Sequence, residues 1–440
     1  MMKRQLKNII MIAMMMFIFG TSLLIAQSKL TIATVNNPHM ITMQKYTSEF
    51  EKQNPNIKIE WVTLEEGILR QRVTTDIATK GGQFDIMTIG FYEVPIWSRK
   101  GWLKKLKLPA SYDVNDLLPT IRGGASYKRE LYAVPFYGES SMIMYRKDIF
   151  DKNNIILRDN PTWGEIYDIA GKLDDRGNGF YGICLRGKPG WGDNMAILTT
   201  MVNAFGGRWF DENWKPEINS PAWNHAISFY VDLMNKYGPP GATANSFNEN
   251  LTLLSEGKCA MWIDATIAAS LITDKRRSKF ASKFAFAQAP VAVTDKGANW
   301  LWSWMLAIPS SSKKSAAAEK FLAWATSKDY IKLIGSKEGW GTVPTGTRKS
   351  TYANANFKKA ASFASAEIKA INSADPITGT LYPKKYVGVQ FAAIPEFQSI
   401  GILTGQQIAS ALAGKVSVEK ALETAQKGAD RIMRKAKYYK

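Results

Sequence analysis

The chain has 440 residues, of which 45% are hydrophobic and 22% charged, with a formal net charge of +19. At ~150 residues per domain, this length predicts two or three domains with cores large enough to fold without metals or disulfides. The basic residues are spread along the chain, with a dense run only at residues 427–440, so the charge indicates a solvated surface and disfavours nucleic acid as a partner.

Residues 1–26 have the layout of a secretory signal. Three basic residues precede an apolar run at residues 9–19, and Ala26 offers a cleavage site. That run is about half of the ~20 residues that a membrane-spanning helix needs. No cysteine lies near the cleavage site, which disfavours a lipid anchor. We therefore expect an exported, periplasmic protein that is free of the membrane.

The next segment alternates strands and helices. Residues 30–35 and 57–61 have the pattern of strands, and apolar residues recur at helical spacing between Met40 and Phe50. A second helix around residues 68–77 and a third strand at residues 84–89 follow. This alternation predicts an α/β fold, with a mostly parallel sheet covered by helices on both faces.

Ligands of such sheets bind beyond the carboxyl ends of the strands. The residues that follow the predicted strands are therefore candidates for a binding site. They are Asn36, Asn37, Tyr92, Glu93, Tyr137 and Glu139.

Glu139 is the strongest of these candidates. Residues 132–150 have the pattern of two strands that meet at Gly138 and Glu139, which predicts a hinge where the chain crosses from one lobe to another. A carboxylate at such a crossing has few purely structural roles. We expect it to accept hydrogen bonds from a ligand in a closing cleft and not to act as a proton donor.

The part of the chain that follows the hinge predicts a second lobe. Thr162 and Glu165 form a capping-box pattern, Ser220 with the proline after it begins another helix, and Ser417 opens the last one. A strand at residues 181–185 leads into a glycine-rich loop that carries the candidates Arg186 and Trp191.

Four more candidates have two interpretations each. Asp264 is the last residue of a strand predicted at residues 259–264, where it could accept hydrogen bonds from a ligand or cap the next helix. Trp300, Trp302 and Trp304 alternate along a predicted strand and so share one face, which could belong to the core or form a stacking platform for a ligand.

The cysteines and histidines leave some questions open. Cys184 and Cys259 lie in strand-like apolar runs, and either buried thiols or a disulfide in an exported protein fits them. His225 is expected to pack within the helix that Ser220 begins, whereas His39 could lie near the cleft. Neither falls in a hydrolase or metal-binding motif, and the sequence predicts no cofactor and no metal.

The remaining candidates combine planar polar groups with tryptophans. Each hydroxyl of a sugar or polyol both donates and accepts a hydrogen bond, and indole faces can cover its C–H surfaces. The pattern therefore favours a polyhydroxylated ligand. An alternative is a glycosidase whose carboxylate pair comes from Glu93, Glu139 and Asp264, because the sequence does not give their separation.

Several motifs resemble the extracellular solute-binding proteins of family 1, which serve ATP-binding-cassette (ABC) importers. They are residues 81–87 (GGQFDIM), the hinge segment ending in 144–148 (MYRKD), residues 256–262 (EGKCAMW) and residues 414–422 (GKVSVEKAL). Within that family, a second set resembles the sorbitol/mannitol-binding subgroup. It consists of residues 63–66 (TLEE), 70–76 (RQRVTTD), 182–191 (GICLRGKPGW) and 300–304 (WLWSW).

The resemblance implies a two-lobed periplasmic-binding-protein fold of the maltose-binding type (type II), with hinge crossings between the lobes. Residues 27–140 and 288–345 would form the N-terminal lobe, and residues 141–287 and 346–440 the C-terminal lobe.

It also implies a monomer without enzymatic activity that binds a small polyol or sugar and docks on the membrane permease of an ABC importer. By the same likeness Tyr92 and Glu93 line the first lobe and Arg186, Trp191 and Asp264 the second. Glu66 and Trp209 complete the set of ligand-binding candidates. The basic charge leaves open an acidic sugar as the ligand, for which Arg186 and Arg70 would matter more.

Overall fold

The computed structural model describes residues 27–440. The predicted signal segment, residues 1–26, lies outside the described residues. The strands are β1 (Ser28–Val35), β2 (Ile57–Leu64), β3 (Ile86–Ile89), β4 (Ser126–Tyr127), β5 (Glu130–Leu131), β6 (Ala133–Glu139), β7 (Ser141–Arg146), β8 (Met261–Ala265), β9 (Phe284–Gln288) and β10 (Trp302–Ala307).

The α-helices of the first half are α1 (Pro38–Lys45), α2 (Thr47–Gln53), α3 (Glu66–Thr79), α4 (Glu93–Arg99), α5 (Pro119–Gly124), α6 (Lys147–Lys152), α7 (Trp163–Leu173), α8 (Asn194–Ala204) and α9 (Pro221–Tyr237). Those of the second half are α10 (Phe247–Ser255), α11 (Ala268–Ile272), α12 (Ser315–Ala325), α13 (Lys328–Lys337), α14 (Lys349–Ala353), α15 (Ala355–Ala360), α16 (Ala364–Ser373), α17 (Phe397–Leu412) and α18 (Val418–Lys435). None of these helices is long and apolar enough to cross a bilayer.

The first sheet has the strand order β2-β1-β3-β10-β6. β1 is parallel to β2 and β3, as the alternating pattern predicts, whereas β10 is antiparallel to both β3 and β6. One edge of the sheet therefore collects the ends of β1, β3 and β6 together with the start of β10. Trp302, at that start, pairs with Glu139 at the end of β6. This edge is where a ligand of an α/β sheet is expected.

The second sheet has the order β8-β7-β9, with β7 antiparallel to both neighbours. We call the part of the chain around the first sheet the first lobe and the part around the second sheet the second lobe. Only Ser140 separates β6 in the first sheet from β7 in the second, so the chain changes lobe there. It returns between Gln288, the last residue of β9, and Trp302, the first of β10.

A further crossing lies later in the chain than residue 345, the boundary that the resemblance implies. Arg348 is fully buried and contacts Asp116 of the first lobe at 3.2 Å, and the Ser350 amide donates to the same carboxylate at 2.9 Å. By Ala366, in α16, the chain packs on the second sheet, where the Gln288 amide donates to its carbonyl.

Glu367 lies beside this crossing and is fully buried. It accepts hydrogen bonds from the hydroxyls of Thr345 and Tyr352, both at 2.7 Å. Burial raises the pKa of Glu367 to about 7, so the carboxyl holds a proton over much of the acidic range.

Local signals read from the sequence are confirmed at several helix ends. Thr162 and Glu165 make both bonds of the capping box at the start of α7. Ser220 stands at the start of α9, although its side chain makes no capping bond. The disulfide question is also resolved, because Cys184 and Cys259 are joined, with their Cα atoms 6.1 Å apart.

Candidate ligand-binding site

A cavity of about 170 Å³ lies between the lobes, at the edge of the first sheet where β1, β3 and β6 end. We call it the interlobe cavity. Ten of the candidates line it: Asn36, Asn37, Glu66, Tyr137, Glu139, Arg186, Trp191, Trp300, Trp302 and Trp304. The other four, which are Tyr92, Glu93, Trp209 and Asp264, do not.

Tryptophans from both lobes form one wall of the cavity. Trp302 packs edge-on against Trp304, with ring centroids 5.5 Å apart, and against Trp191 of the second lobe at 5.7 Å. Trp302 rests on the backbone of Gly90, where a Cβ atom would lie 2.0 Å from the indole. The buried Nε1 groups of Trp191 and Trp300 have no hydrogen-bond partner among the described residues. Both residues line the cavity, so a ligand that reaches either nitrogen would satisfy a buried donor.

Arg70 lines the cavity against this wall and was missed as a leading candidate. Its guanidinium carbon lies 3.9 Å from the Trp191 ring centroid, and 4.8 and 4.7 Å from those of Trp302 and Trp304. It donates to Glu66 Oε1 at 2.7 and 3.0 Å. The spacing of Glu66 and Arg70 on α3, four residues, is the sequence signal that could have found this pair.

Glu93 and Tyr92 lie behind the wall and do not line the cavity as expected. Glu93 is 2% exposed and accepts hydrogen bonds from Arg70 Nη1 at 3.0 Å and from the Gly90 amide at 2.9 Å. The Tyr92 hydroxyl donates to the carbonyl of Ile394 at 3.0 Å. Both therefore position the cavity wall from outside the cavity.

Asp264 is neither a helix cap nor a lining residue, which corrects both interpretations. It is fully buried and binds Arg186 through two bonds, from Nε to Oδ2 at 2.8 Å and from Nη2 to Oδ1 at 2.5 Å. The Trp262 indole donates to it at 3.0 Å and the Ala265 amide at 2.7 Å. The carboxylate is thereby saturated and holds the guanidinium at the cavity.

Trp209 packs in the core of the second lobe. Its ring centroid lies 4.8 Å from that of Trp223 and 5.0 Å from that of Phe397, and the side chain is fully buried. Sequence spacing did not reveal this, since all three residues belong to different segments of the chain.

Glu139 lines the cavity, is 7% exposed and accepts no hydrogen bond from another side chain or amide within residues 27–440. Burial raises the pKa of Glu139 to about 8, against the opposing charge of Arg186. At neutral pH the carboxyl is therefore largely protonated. It can donate one hydrogen bond as well as accept others, which widens the acceptor role predicted from the sequence.

The second lobe supplies further lining residues that the sequence did not reveal. Asp193 is 4% exposed and accepts a hydrogen bond from the Ser246 hydroxyl. Burial raises the pKa of Asp193 to about 6. Ser246 begins α10, in a capping box completed by Glu249, so a local signal for this helix start was present. The sequence did not show that this helix faces α3 across the cavity.

The lobes touch around the cavity. Lys188 of the second lobe pairs with Glu65 of the first at 2.6 Å, and the Asn248 amide donates to the carbonyl of Asn36 at 3.0 Å. At Gly192, a Cβ atom would lie 2.0 Å from Glu66 Oε1, so a larger residue would displace this carboxylate from its contact with Arg70.

Two of the three carboxylates that the glycosidase alternative could use are not available in the cavity. Glu93 and Asp264 are each bound to an arginine and lie outside the cavity, which leaves Glu139 alone from that set. No cluster of three or more metal-binding side chains occurs within residues 27–440.

Two α/β lobes that are joined by chain crossings and enclose a small, tryptophan-walled cavity are typical of a protein that binds a solute between its lobes. Residues 36–332 match the family model described as "Bacterial extracellular solute-binding protein". The chain belongs to this family.

Two relatives are similar over nearly their whole length. The mannitol-binding protein of Pseudomonas aeruginosa is 52% identical over 93% of this chain and 94% of its own. A solute-binding protein of Agrobacterium vitis, solved with bound D-mannitol, is 57% identical over 94% of this chain and 100% of its own, with a TM-score of 0.93. A ribitol complex from Agrobacterium radiobacter shares the fold at 24% identity, with a TM-score of 0.81 over 93% of this chain and 99% of its own.

Proposed function

We propose that this protein is the periplasmic substrate-binding component of an ABC importer, and that it captures a neutral hexitol such as D-mannitol by closure of its lobes. It would deliver this solute to a membrane permease as a monomer, without changing it chemically. Export through residues 1–26, without a lipid anchor, is part of the same proposal.

The observation that carries the proposal is the state of the cationic side chains at the cavity. Each of the three is bound to a carboxylate: Arg70 to Glu66, Arg186 to Asp264 and Lys188 to Glu65. Among the described residues, every cation of the lining therefore already has a carboxylate partner, although the chain is strongly basic. This balance favours a neutral ligand over the acidic one that the net charge left open.

The uncharged features of the cavity suit a polyol. The indole Nε1 groups of Trp191 and Trp300 offer donors, and Glu139 and Asp193 offer oxygens that can accept. A buried polar group without a partner costs ~1–3 kcal/mol, so a cavity of this kind disfavours a ligand that lacks one hydroxyl. The names of the two mannitol-binding relatives support the same ligand class.

Binding would act through the hinge. A ligand that contacts both lobes stabilises the closed form by its differential affinity for that form. A micromolar dissociation constant corresponds to about −8 kcal/mol in total, of which closure takes a part. No reaction of the ligand is needed for such a receptor.

Calorimetric titration of the protein purified from the periplasm tests the proposal, with D-mannitol, D-glucitol, ribitol, D-mannose, maltose and D-mannonate as ligands. We expect mannitol to bind at micromolar concentration or below, with every titrated ligand recovered unchanged. Binding of mannonate without mannitol would contradict the neutral-ligand assignment. Release of glucose from maltose that is lost in Glu139→Gln would instead support a glycosidase.

A further inference from the structure

The acidic side chains that line the interlobe cavity differ in their partners: some are paired with a cation and others are not. Glu65 and Glu66 are paired with cations, and Glu249 accepts a hydrogen bond from the Ser246 amide at 2.9 Å. Among the buried acids of the lining, Asp193 and Glu139 have no cationic partner within residues 27–440. The Asp193 carboxyl accepts a hydrogen bond only from a serine hydroxyl, and the Glu139 carboxyl accepts none from another described residue.

Glu139 is therefore a buried acid that faces the cavity without a counter-ion. Only 7% of the residue is exposed. A buried ionised carboxylate without a partner is costly, and the group avoids this cost by holding a proton. A ligand that brings a positive charge to Glu139 would supply the missing partner and let the carboxylate ionise.

We infer, on the premise that the cavity binds a hexitol, that it also binds cationic amino-polyols, in which an ammonium group replaces a terminal hydroxyl and pairs with Glu139. An ammonium group offers three donors, and charge-assisted hydrogen bonds to a carboxylate are about twice as strong as neutral ones. A ligand carboxylate at the same position would face another acid, and Arg186, the cation whose charge acts on Glu139, is already bound to Asp264.

The charges around Glu139 set the pH dependence of this binding. Arg186 opposes protonation of Glu139, whereas Asp264, Glu66 and Glu367 favour it, and the phenol of Tyr137 lies on the same strand. With a pKa of about 8 in the unliganded protein, Glu139 is mostly protonated at pH 6 and half ionised at pH 8. An ammonium ligand would bind the ionised form, so its affinity should rise between these pH values and a proton should be released on binding.

The test compares D-mannitol, 1-amino-1-deoxy-D-mannitol and D-mannonate, which share one carbon skeleton and differ in one terminal group. At pH 8 we expect the amino-polyol to bind within about tenfold of mannitol and mannonate to bind at least about a hundredfold more weakly, each tenfold being 1.4 kcal/mol. Glu139→Gln keeps the size of the side chain and should weaken the amino-polyol at least about tenfold more than it weakens mannitol. The exposed Glu212→Gln is the matched control and should change neither affinity.

Proton release is measured on the unaltered protein, by titration in two buffers of different ionisation enthalpy. Release with the amino-polyol and not with mannitol supports the inference, and it does not depend on any variant folding. Binding of mannitol with no measurable binding of the amino-polyol would overturn the inference alone. An amino-polyol selectivity that survives in Glu139→Gln and is lost in Asp193→Asn would overturn the assignment to Glu139. A protein that binds no hexitol at all would refute the proposed function instead.

Discussion

The buried pair of Arg186 and Asp264 should control both the stability of the second lobe and the affinity of the cavity. Neither residue is more than 5% exposed, and two hydrogen bonds join them. In Asp264→Asn the guanidinium keeps its charge and loses the carboxylate that balances it. Arg186 Nη1 also donates to the Gly192 carbonyl at 2.8 Å, so its displacement would disturb the glycine that faces the first lobe.

Removing one partner of a buried ion pair costs ~3–5 kcal/mol. We expect Asp264→Asn to lower the free energy of unfolding by about that amount, measured by urea unfolding of the unliganded protein with circular dichroism. Affinity for the ligand should fall at least about tenfold, which corresponds to 1.4 kcal/mol. Asp151→Asn, which removes an exposed pair with Lys147, is the control and should leave both quantities nearly unchanged.

A double-mutant cycle separates the pair from its surroundings. Asp264→Asn combined with Arg186→Leu should be less destabilised than the sum of the single variants, by ~2 kcal/mol, because the second change removes the uncompensated charge. A loss below ~1 kcal/mol in Asp264→Asn, or strict additivity in the cycle, would refute this account of the pair.

Three further results are expected. Gly192→Ala should lower ligand affinity at least about tenfold in calorimetry, because its Cβ atom would lie 2.0 Å from a carboxylate oxygen of the opposite lobe, whereas Gly177→Ala, with open space around it, should not. Trp300→Phe should weaken binding by ~1 kcal/mol through loss of an indole donor at the cavity, and Trp163→Phe, which removes a buried donor elsewhere, should leave binding unchanged. In Glu367→Gln, the free energy of unfolding, measured by urea titration at several pH values, should lose the part of its pH dependence that comes from this carboxyl. The raised pKa of Glu367 stabilises the folded state below pH 4.5, and this contribution is lost as pH rises towards about 7, by up to ~1.4 kcal/mol per pH unit.

Each of these three predictions has an outcome that would contradict it. Equal affinities for the two alanine variants would mean that the lobes approach differently when ligand is bound. Equal affinities for the two phenylalanine variants would remove the indole as a ligand donor. A difference between wild type and Glu367→Gln that stays constant with pH would show that this carboxyl titrates normally.

The sequence predicted the architecture because its signals are local. Strand and helix periods, a capping box and the acid at the end of β6 are all contained in short segments, and they located Asn36, Asn37 and Glu139 at the ligand-binding edge. The alternation of Trp302 and Trp304 likewise placed both indoles on the face that lines the cavity.

The predicted positions of Asp264, Tyr92 and Glu93 differ from the structure because they depend on contacts between segments that are distant in sequence. Asp264 lies near the end of β8, where a ligand acceptor is expected, but the segment at residues 181–184 runs parallel to β8 and brings Arg186, 78 residues away, to this carboxylate. Tyr92 and Glu93 likewise follow β3, yet they contact Ile394 and Arg70 behind the cavity wall. Residue order along the chain does not determine which side of a wall a side chain occupies. Asp193 was missed for the same reason, since nothing near it in sequence marks it as facing α3.

The stack of Arg70 on Trp191 has a practical consequence, because the two residues belong to different lobes. Opening of the hinge would carry the indole away from the guanidinium, which now lies 3.9 Å from its ring centroid, and into water. Indole emission responds both to a nearby positive charge and to the polarity of its surroundings. Opening and closing of the lobes should therefore change the tryptophan fluorescence of the protein. The rates of opening and closing become accessible to rapid-mixing spectroscopy on unlabelled protein.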